Sequence, residues 1–422
     1  MGKLIPVEGM QLLAYSVGPK NRTVMFRNHF KMEDDVDPEL LKEAVRVVRE
    51  YFWLLRMSLV VHKGSLMHEE IQNDPPVFHR ENKSYTLGTE DTNGYMYYFL
   101  YEDNEIDFFF CHGLSDPTAL GLCTTFILKV YSSMKYPESA SFDVESEYKK
   151  LNIWETHDPF EEFAGEKISK LNFDMHRGFT IPTGSEYSVY DVINIDIPLE
   201  QTLKVVKDMG ATPVTFLTAL FDRAIRDCCT VGDAPIVSSV TMDLRKLTGK
   251  FPLTGYTGTA LMKYLPEYDS LDIKDLCRRF REDLDSQKDI DIQNLMINMS
   301  RYMTKVMSLK LLPLELKFNL LSSLMGQGEK IMTYASTNVG KVPLPDEKVV
   351  SLEVFATGLT QTNMSITSTG DTMNIKFLYY LHDKKILNRF MDLLRNEGLE
   401  PEYYVKRYSE PTYFDTSKLR RV

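Results

Sequence analysis

The chain has 422 residues, of which 43% are hydrophobic and 26% charged, and it carries a formal net charge of −11. This length exceeds the usual limit for a single hydrophobic core, so we expect two lobes, each with its own core. The composition excludes a mainly disordered or fibrous protein. The acidic balance argues against a general nucleic-acid binder, because phosphate binding needs a positively charged surface.

The cysteines and the ends of the chain give few functional signals. An odd number of cysteines without CxxC spacing indicates neither a disulfide framework nor a zinc site, and a reducing cytoplasm fits them best. They are Cys111, Cys123, Cys228, Cys229 and Cys277. The N-terminus lacks a signal pattern and no apolar run reaches membrane-spanning length, so we expect no transmembrane segment. The basic stretch "KLRRV" after Ser417 is typical of a solvated end, and we assign it no function.

Helical and strand patterns are mixed in the first part of the chain. From Asp37, an Asp-Pro helix start leads into apolar residues at helical spacing and then into a β-type run. Strands are predicted from Tyr95 to Tyr101 and from Ile106 to His112, and the second of them leads into a helix from Pro117. We assign residues 1–160 to an N-terminal lobe.

A stretch without sustained periodicity predicts a linker at 161–188, and the C-terminal lobe then covers 189–422. This lobe begins with the strand "YSVYDVINIDI", a helix closed by Gly210 and the apolar helix "PVTFLTALFDRAIRD". The strand "APIVSSVTMDLR" follows, and a last strand and helix end at Gly398. Both parts therefore combine strands with covering helices, which predicts two α/β lobes with the ligand site at their interface.

Methionines recur at helical spacing in a later segment. Such a stripe is typical of a core-facing helix side, although flexible thioethers also suit an adaptable acyl pocket. The residues are Met296, Met299, Met303 and Met307. The next stretch, "LKLLPLELKFNLLSSLMG", is amphipathic enough to touch a lipid surface, but packing between the lobes is favoured.

The stretch "DFFFCHGLSDPTALG" carries the strongest candidate chemistry. His112 ends an aromatic strand, and a neutral imidazole held there suits a general base. Spacing alone also fits a structural histidine at the edge of the core. Asp116 before Pro117 is a common helix start that needs no catalytic role.

Ser115 offers an alternative. "GLSDP" resembles a degraded nucleophile elbow, G-x-S-x-G, in which Pro117 replaces the second glycine. A serine hydrolase using Ser115 and a distant histidine such as His382 therefore stays open. A non-catalytic binding module is the third interpretation.

Four segments resemble one family. "CHGLSDP" resembles the HHxxxDG signature of the chloramphenicol acetyltransferase-like superfamily, which includes condensation domains, plant BAHD acyltransferases and alcohol acetyltransferases. "VTMDLRKLTGKFPLTGYTGTAL" and "YASTNVGKVPLP" are similar to two further family segments in the expected order, and "YFWLLRMSLV" is similar to an early one. The resemblance implies two chloramphenicol-acetyltransferase-like lobes, each a mixed sheet with covering helices, and an active-site tunnel between them.

The resemblance also implies roles for individual residues. His112 would be the general base that takes a proton from an acceptor hydroxyl or amine, which then attacks a thioester carbonyl. Asp116 would pair with Arg245 and hold the loop. The resemblance further implies an acyl-CoA or acyl-pantetheine donor and a small-molecule acceptor. A separate acyl carrier protein is an alternative donor partner. No permanently bound cofactor or metal is implied.

Substrate contacts are implied at Gly258, Thr259, Asn338 and Gly340. An asparagine amide can donate to a thioester oxygen or to pantetheine. Asn-Val-Gly is equally typical of a plain turn after a strand.

The chain departs from the family pattern at three positions. Cys111 stands in place of the first histidine, which is not the base, and Pro117 stands in place of a glycine. Thr259 lies where many relatives carry asparagine. These departures favour simple acyl transfer over a condensation-domain role.

Overall fold

The computed structural model describes residues 2–16, 24–81, 83–160, 177–182, 190–287, 291–356, 362–379, 384–408 and 412–422. Most of the predicted linker lies outside these residues. The elements before it are β1 (Leu4–Pro6), α1 (Gly9–Ser16), β2 (Met25–Met32), α2 (Pro38–Arg49), β3 (Met57–His62), β4 (Ser65–Glu70), β5 (Val77–His79), β6 (Tyr85–Thr86), β7 (Tyr97–Glu102), β8 (Glu105–Cys111), α3 (Pro117–Lys135) and α4 (Val144–Lys150).

The elements after it begin with β9 and end with β17. They are β9 (Tyr190–Pro198), α5 (Leu199–Asp208), α6 (Pro213–Cys228), β10 (Ile236–Asp243), α7 (Arg245–Thr248), β11 (Thr257–Tyr264), α8 (Ile273–Gln287), α9 (Asp291–Met307), α10 (Leu314–Ile331), β12 (Tyr334–Lys341), β13 (Val349–Ala356), β14 (Thr362–Thr369), β15 (Thr372–Tyr379), α11 (Lys385–Asn396), β16 (Glu402–Tyr408) and β17 (Thr412–Tyr413).

Local sequence signals fix where several helices begin and end. The Asp37 carboxylate accepts hydrogen bonds from the backbone N–H groups of Glu39 and Leu40, at 3.0 and 3.1 Å, and so caps α2. Gly210 and Gly398 follow α5 and α11 with φ of +66° and +78°, a conformation that glycine adopts at little cost. These predicted helix boundaries are confirmed.

A five-stranded sheet forms the centre of the first lobe, in the order β13-β2-β8-β7-β5. Phe108, Phe109 and Phe110 on β8 are all buried, because both faces of this strand are covered. The helix α3 packs on one face, where the Asn28 amide donates to the Thr124 hydroxyl at 3.3 Å. A smaller sheet, β1-β4-β3, completes this lobe.

A seven-stranded mixed sheet forms the second lobe, in the order β11-β10-β12-β14-β15-β9-β16. The strands β10, β12 and β14 are parallel, and the other neighbours are antiparallel. Phe221 on α6 packs against Phe377 on β15 and Phe390 on α11, with ring centroids 4.8 and 5.6 Å apart. Complete burial of each such ring contributes about 1.5–3 kcal/mol.

Segments from the second part of the chain also complete the first lobe. The strand β13 pairs antiparallel with β2 and covers an edge that would otherwise lie open. Near the C-terminus, Arg421 forms a bridge with Val61. Lobe composition therefore does not follow chain order alone, and the boundaries at residues 160 and 189 stay a prediction.

The helix α9 contacts both cores, and α10 contacts the core of the first lobe. Ile297 belongs to the core of the second lobe, whereas Met303, Met307 and Leu321 belong to that of the first. The core-facing interpretation of the methionine stripe is thus confirmed for Met303 and Met307, while the side chain of Met296 lies outside the described part of the chain. Within the described residues, no helix is both long and apolar enough to span a bilayer.

Candidate active site

His112 lies in the turn that joins β8 to α3. Its backbone N–H donates to the Val24 carbonyl at 2.8 Å, and the Leu114 N–H donates to the Cys111 carbonyl at 3.0 Å. The first bond extends the pairing of β8 with β2, and the second closes the turn before the helix. The imidazole is half-buried and packs on Phe26, with ring centroids 4.4 Å apart.

The next residue must be glycine because the backbone touches an aromatic ring. A Cβ atom built on Gly113 would lie 2.2 Å from Cζ of Tyr15. Tyr15 is itself fixed, since its hydroxyl and the His68 Nε2 are 3.1 Å apart in the core. The α1 helix thus packs directly against the backbone beside His112.

The surroundings of His112 favour its neutral form. Burial lowers the pKa of the imidazole below the ordinary value of 6.5. Backbone hydrogen bonds with residue 112 itself and with Ser115, together with the charge of Asp116, raise the pKa but do not cancel the effect of burial. A neutral ring at physiological pH has a nitrogen lone pair available to accept a proton.

Asp116 uses its two carboxylate oxygens for different purposes. Oδ1 accepts the backbone N–H groups of Thr118 and Ala119 at 3.1 and 3.2 Å, which caps α3. Oδ2 accepts Nη1 of Arg245 at 2.8 Å and the Tyr256 N–H at 2.7 Å. The helix-cap interpretation and the predicted ion pair with Arg245 are therefore both confirmed.

Arg245 is buried, and all three nitrogens of its guanidinium group donate hydrogen bonds. Its Nη1 also reaches Oδ1 of Asp243 at 3.2 Å. Its Nε and Nη2 donate to the Pro252 carbonyl at 3.2 and 2.9 Å, and Nη2 also donates to the Thr254 carbonyl at 2.8 Å. Burial lowers the pKa of Arg245, but the charge of Asp116 and the hydrogen bond to it outweigh burial and raise the pKa overall.

This ion pair ties the two lobes together at the candidate base. The turn 112–116 belongs to the first lobe, and the loop after β10 belongs to the second. Planar guanidinium and carboxylate groups hold such a contact in one geometry. Pro117 at the first helical position fits because its missing N–H would have no partner within the helix.

The nucleophilic role considered for Ser115 is not supported. Its side chain is 1% exposed, and its hydroxyl donates to the Leu253 carbonyl at 2.5 Å. A serine that attacks substrate needs an accessible oxygen and a neighbouring base. Ser115 instead forms a second link between the turn and the loop after β10. His382 lies outside the described residues.

The four predicted substrate contacts lie on the strands that flank β10. On β11, Gly258 pairs with Met242, and Thr259 pairs with Thr241. On the other side, Thr241 pairs with Thr337, the residue before Asn338. Because β10 and β12 run parallel, Asn338 and Gly340 lie at the same edge of the sheet as the C-terminal end of β10, which leads into Arg245.

Asn338 and Gly340 lie within β12 at an irregularity, where the pairing with β14 shifts register. Oδ1 of Asn338 accepts the Gly340 N–H at 2.9 Å, and Gly340 has a φ of +80°. The predicted plain turn after the strand is therefore wrong, because β12 continues to Lys341. The amide oxygen is used within the irregularity, and the amide nitrogen is not. In the described part of the chain, no hydrogen bond links Asn338 or Thr259 to His112, Asp116 or Arg245. Their substrate contacts stay a prediction.

Two supporting residues were missed from the sequence. Asp243 accepts the Thr118 hydroxyl at 3.3 Å and the Arg245 N–H at 3.1 Å, so it joins the helix start to the arginine. Its position at the charged end of a predicted strand was the available signal. No sequence signal could have identified the Tyr256 N–H as a partner of Asp116, because every residue except proline carries the same backbone donor.

Cys111 fills space beside this site. It is buried, and burial raises the pKa of its thiol to about 12, so it stays neutral and unreactive. It does not reproduce the chemistry of the first histidine in the HHxxxDG pattern. Among the described residues, no group of three or more His, Cys, Asp or Glu side chains is placed to hold a metal ion.

The sequence matches no family model and no curated protein, but the fold matches solved structures. Trichothecene 15-O-acetyltransferase from Fusarium sporotrichioides superposes with a TM-score of 0.62 at 9% identity, over 93% of this chain and 94% of that one. TRI101 of the same fungus, solved with coenzyme A and T-2, gives 0.62 at 10% identity, over 95% and 99%.

A domain of another type matches as well. The epimerization domain from the third module of tyrocidine synthetase B gives a TM-score of 0.60 at 12% identity, over 94% of this chain and 95% of that domain. The predicted two-lobed chloramphenicol acetyltransferase-like fold is therefore confirmed, with mixed sheets and covering helices in both lobes.

Proposed function

We propose that this protein is an acyltransferase that moves an acyl group from a thioester to a hydroxyl or amine, with His112 as general base. The observation that carries the proposal is the half-buried imidazole of His112 on a turn that the Asp116–Arg245 pair ties to the second lobe. Structural similarity to acetyltransferases and to an epimerization domain supports the choice of reaction class.

The reaction follows from the protonation state of His112. The neutral imidazole takes the proton of the acceptor as its oxygen or nitrogen attacks the thioester carbonyl. The tetrahedral intermediate then expels the thiolate, which recovers that proton from the imidazolium. Both substrates are held together, so proximity replaces a covalent acyl-enzyme.

Asp116 and Arg245 hold His112 in position and take no part in proton transfer. Each is buried and fully engaged in hydrogen bonds, so neither is available to exchange protons with substrate. They fix the turn that carries His112 against the second lobe. The Asn338 amide nitrogen and the Thr259 hydroxyl, at the adjacent sheet end, are proposed to contact the donor.

We take acyl-CoA as the first donor to test, since one structural neighbour was solved with coenzyme A. The second donor to test is acyl-pantetheine on a separate carrier protein. The acceptor is a small molecule with a hydroxyl or amine group. The protein itself needs neither a resident cofactor nor a metal for these steps.

The test is thiol release from a panel of acyl-CoA donors, each with and without a mixture of alcohols and amines, with products identified by mass spectrometry. Release that depends on an acceptor, with a matching ester or amide, is the expected result. Release without an acceptor would identify a thioester hydrolase. Tight thioester binding without release would identify a binding module and overturn the proposal.

A further inference from the structure

The hairpin of α9 and α10 presents an apolar surface that nothing in the described structure covers. Leu311, in the turn between the helices, is 99% exposed, and Leu309, Leu316 and Leu320 are each between 41 and 50% exposed. We call these four residues the leucine tip. Large aliphatic side chains grouped on one surface mark an interaction site more often than isolated ones do.

The two helices keep their ordinary core contacts on the opposite side. On α10, Leu314 and Leu321 are buried in the first lobe, whereas Leu316 and Leu320 point outwards one turn apart. The helix is therefore apolar on two sides, and only one of them is explained by the fold. The buried leucines of the inner side alone are enough to pack this helix on the lobe, so packing does not explain the leucines of the outer side.

The leucine tip is held rigidly to the first lobe. Lys317 is fully buried, and its Nζ donates to the carbonyls of Gly64 and Met307, both at 2.7 Å. The Ser65 hydroxyl donates to the same Met307 carbonyl at 3.1 Å. The turn between β3 and β4 is thus bonded to the end of α9, and the exposed leucines are not a frayed end.

The basic C-terminal stretch contacts the strand that leads into this turn. The Val422 N–H donates to the Val61 carbonyl at 3.0 Å, and the His62 Nδ1 lies 2.9 Å from the Val422 carbonyl. The exposed Lys63 follows directly in the turn that contacts Lys317. Arg421, also exposed, forms a bridge with Val61 on the strand that leads to the Gly64 carbonyl bound by Lys317, although about a hundred residues separate it from α10 in the chain.

Positive charge also borders the leucine tip within the hairpin itself, on α9 and in the turn after it. Lys305 and Lys310 are exposed, and Glu315 is the one acidic residue between positions 301 and 320. In a chain with a net charge of −11, this local excess of basic side chains is unusual. An apolar surface bordered by lysine and arginine complements the acyl and phosphate layers of an anionic bilayer.

We propose that the leucine tip and the surrounding basic residues dock the protein on an anionic lipid surface. The leucines enter the boundary between headgroups and acyl chains, and Lys63, Lys305, Lys310 and Arg421 lie against the phosphates. Exposed leucines on a projecting turn fit a deformable lipid layer better than a preformed protein pocket. The docking does not depend on acyl transfer.

The test is co-sedimentation of the full chain with phosphatidylcholine vesicles that contain phosphatidylserine, compared with phosphatidylcholine alone. The wild type is expected to bind the anionic vesicles and to be released at about 1 M salt, where the Debye length is about 3 Å. The double variant L311S/L316S should lower the partition coefficient at least tenfold, and K305E/K310E should also lower it. The control L203S removes an exposed leucine on α5 and should bind as the wild type does.

Absence of wild-type binding to anionic vesicles would overturn the proposal, as would unchanged binding by L311S/L316S. Concentration-dependent dimers that L311S/L316S abolishes, without vesicle binding, would identify a second copy of the chain as the occupant. Because binding is measured without turnover, a negative result leaves the proposed acyl transfer untouched.

Discussion

Asp116 shows how one side chain satisfies two interpretations of the same motif. Its Oδ1 caps α3, as the Asp-Pro pair predicts from local chemistry, and its Oδ2 pairs with Arg245, as the family resemblance implies. The cap could be predicted from residues 116 and 117 alone. The pair required a second segment 129 positions away, and sequence periodicity carries no information at that range.

The other bonds at the site illustrate the same limit. The Ser115 hydroxyl donates to a carbonyl 138 residues away, and Asp116 accepts a backbone N–H from a residue 140 positions distant. Backbone groups are identical along the chain, so no residue type signals them. The serine in "GLSDP" consequently fits a nucleophile pattern in the sequence and a structural link in the fold.

The first prediction concerns the pH dependence of turnover. Burial lowers the pKa of His112, and a general base works only when deprotonated, so the rate should fall as the pH drops through this lowered pKa. The acid limb of kcat/KM for the acyl-CoA reaction should therefore have its midpoint below 6.5. A midpoint above 6.5, or a rate independent of pH in this region, would contradict the assigned role.

At the scale of elements, the turn after β8 depends on contact with α1. The strand, the turn and the capped helix α3 were predicted from aromatic content and from Asp-Pro, and all three are confirmed. The contact of Gly113 with Tyr15 was not predicted. A glycine within a turn looks like a flexible connection, whereas here the missing Cβ makes room for a ring.

The second prediction therefore compares two glycine substitutions. G113A places a methyl group 2.2 Å from the Tyr15 ring, so one of them must move, and we expect a loss of about 1–3 kcal/mol in the free energy of unfolding. G121A on α3 meets nothing within 4 Å and should be neutral or stabilise by up to about 1 kcal/mol. Urea denaturation of both variants provides the measurement.

Equal stability of G113A and the wild type would show that Tyr15 does not restrain the turn. The activity of G113A should also fall, because the displaced backbone carries His112. Full activity in a destabilised G113A would separate the packing role of the turn from its catalytic role.

At the scale of the whole molecule, two lobes could be predicted from chain length and alternating elements. Strand β13, however, belongs to the second part of the sequence but pairs with β2 in the sheet of the first lobe. The periodicity of the sequence does not reveal this pairing. The strand also links the sheets through charge. Glu353 on β13 pairs with Lys406 on β16, and its other oxygen lies 3.7 Å from Nζ of Lys376 on β15.

Lys376 makes this link sensitive to pH. It is 3% exposed, and burial lowers the pKa of its ammonium group to about 8, although Glu353 opposes the shift. Between pH 8 and its unfolded value of 10.5, the unfolded chain binds more protons at this residue than the folded chain does. The contribution of Lys376 to stability therefore rises with pH across that interval.

The third prediction uses E353Q, which removes the nearest negative charge from Lys376. At pH 7 the buried ammonium loses its partner, and the free energy of unfolding should fall by about 2 kcal/mol. At a pH well above 8 Lys376 is neutral in the folded state, so the loss should become smaller. Denaturant titrations at both pH values provide the measurement.

A surface pair serves as the matched control. Glu33 pairs with Lys348 at 2.6 Å near the start of β13, but its side chain is exposed. E33Q should cost no more than about 1 kcal/mol, because exposed pairs are screened by water and ions. A loss in E353Q that is as small as in E33Q, or that is the same at both pH values, would argue against an electrostatic link between the sheets.

The central claim is that His112 acts as the base for acyl transfer, and the most direct test is kcat/KM for acceptor-dependent thiol release by H112A. General-base catalysis contributes about 10²–10⁴-fold, so a loss of this size is expected while the melting temperature stays near that of the wild type. H79A, which removes an exposed histidine on β5, should retain full activity. Turnover by H112A at the rate of H79A would contradict the assignment.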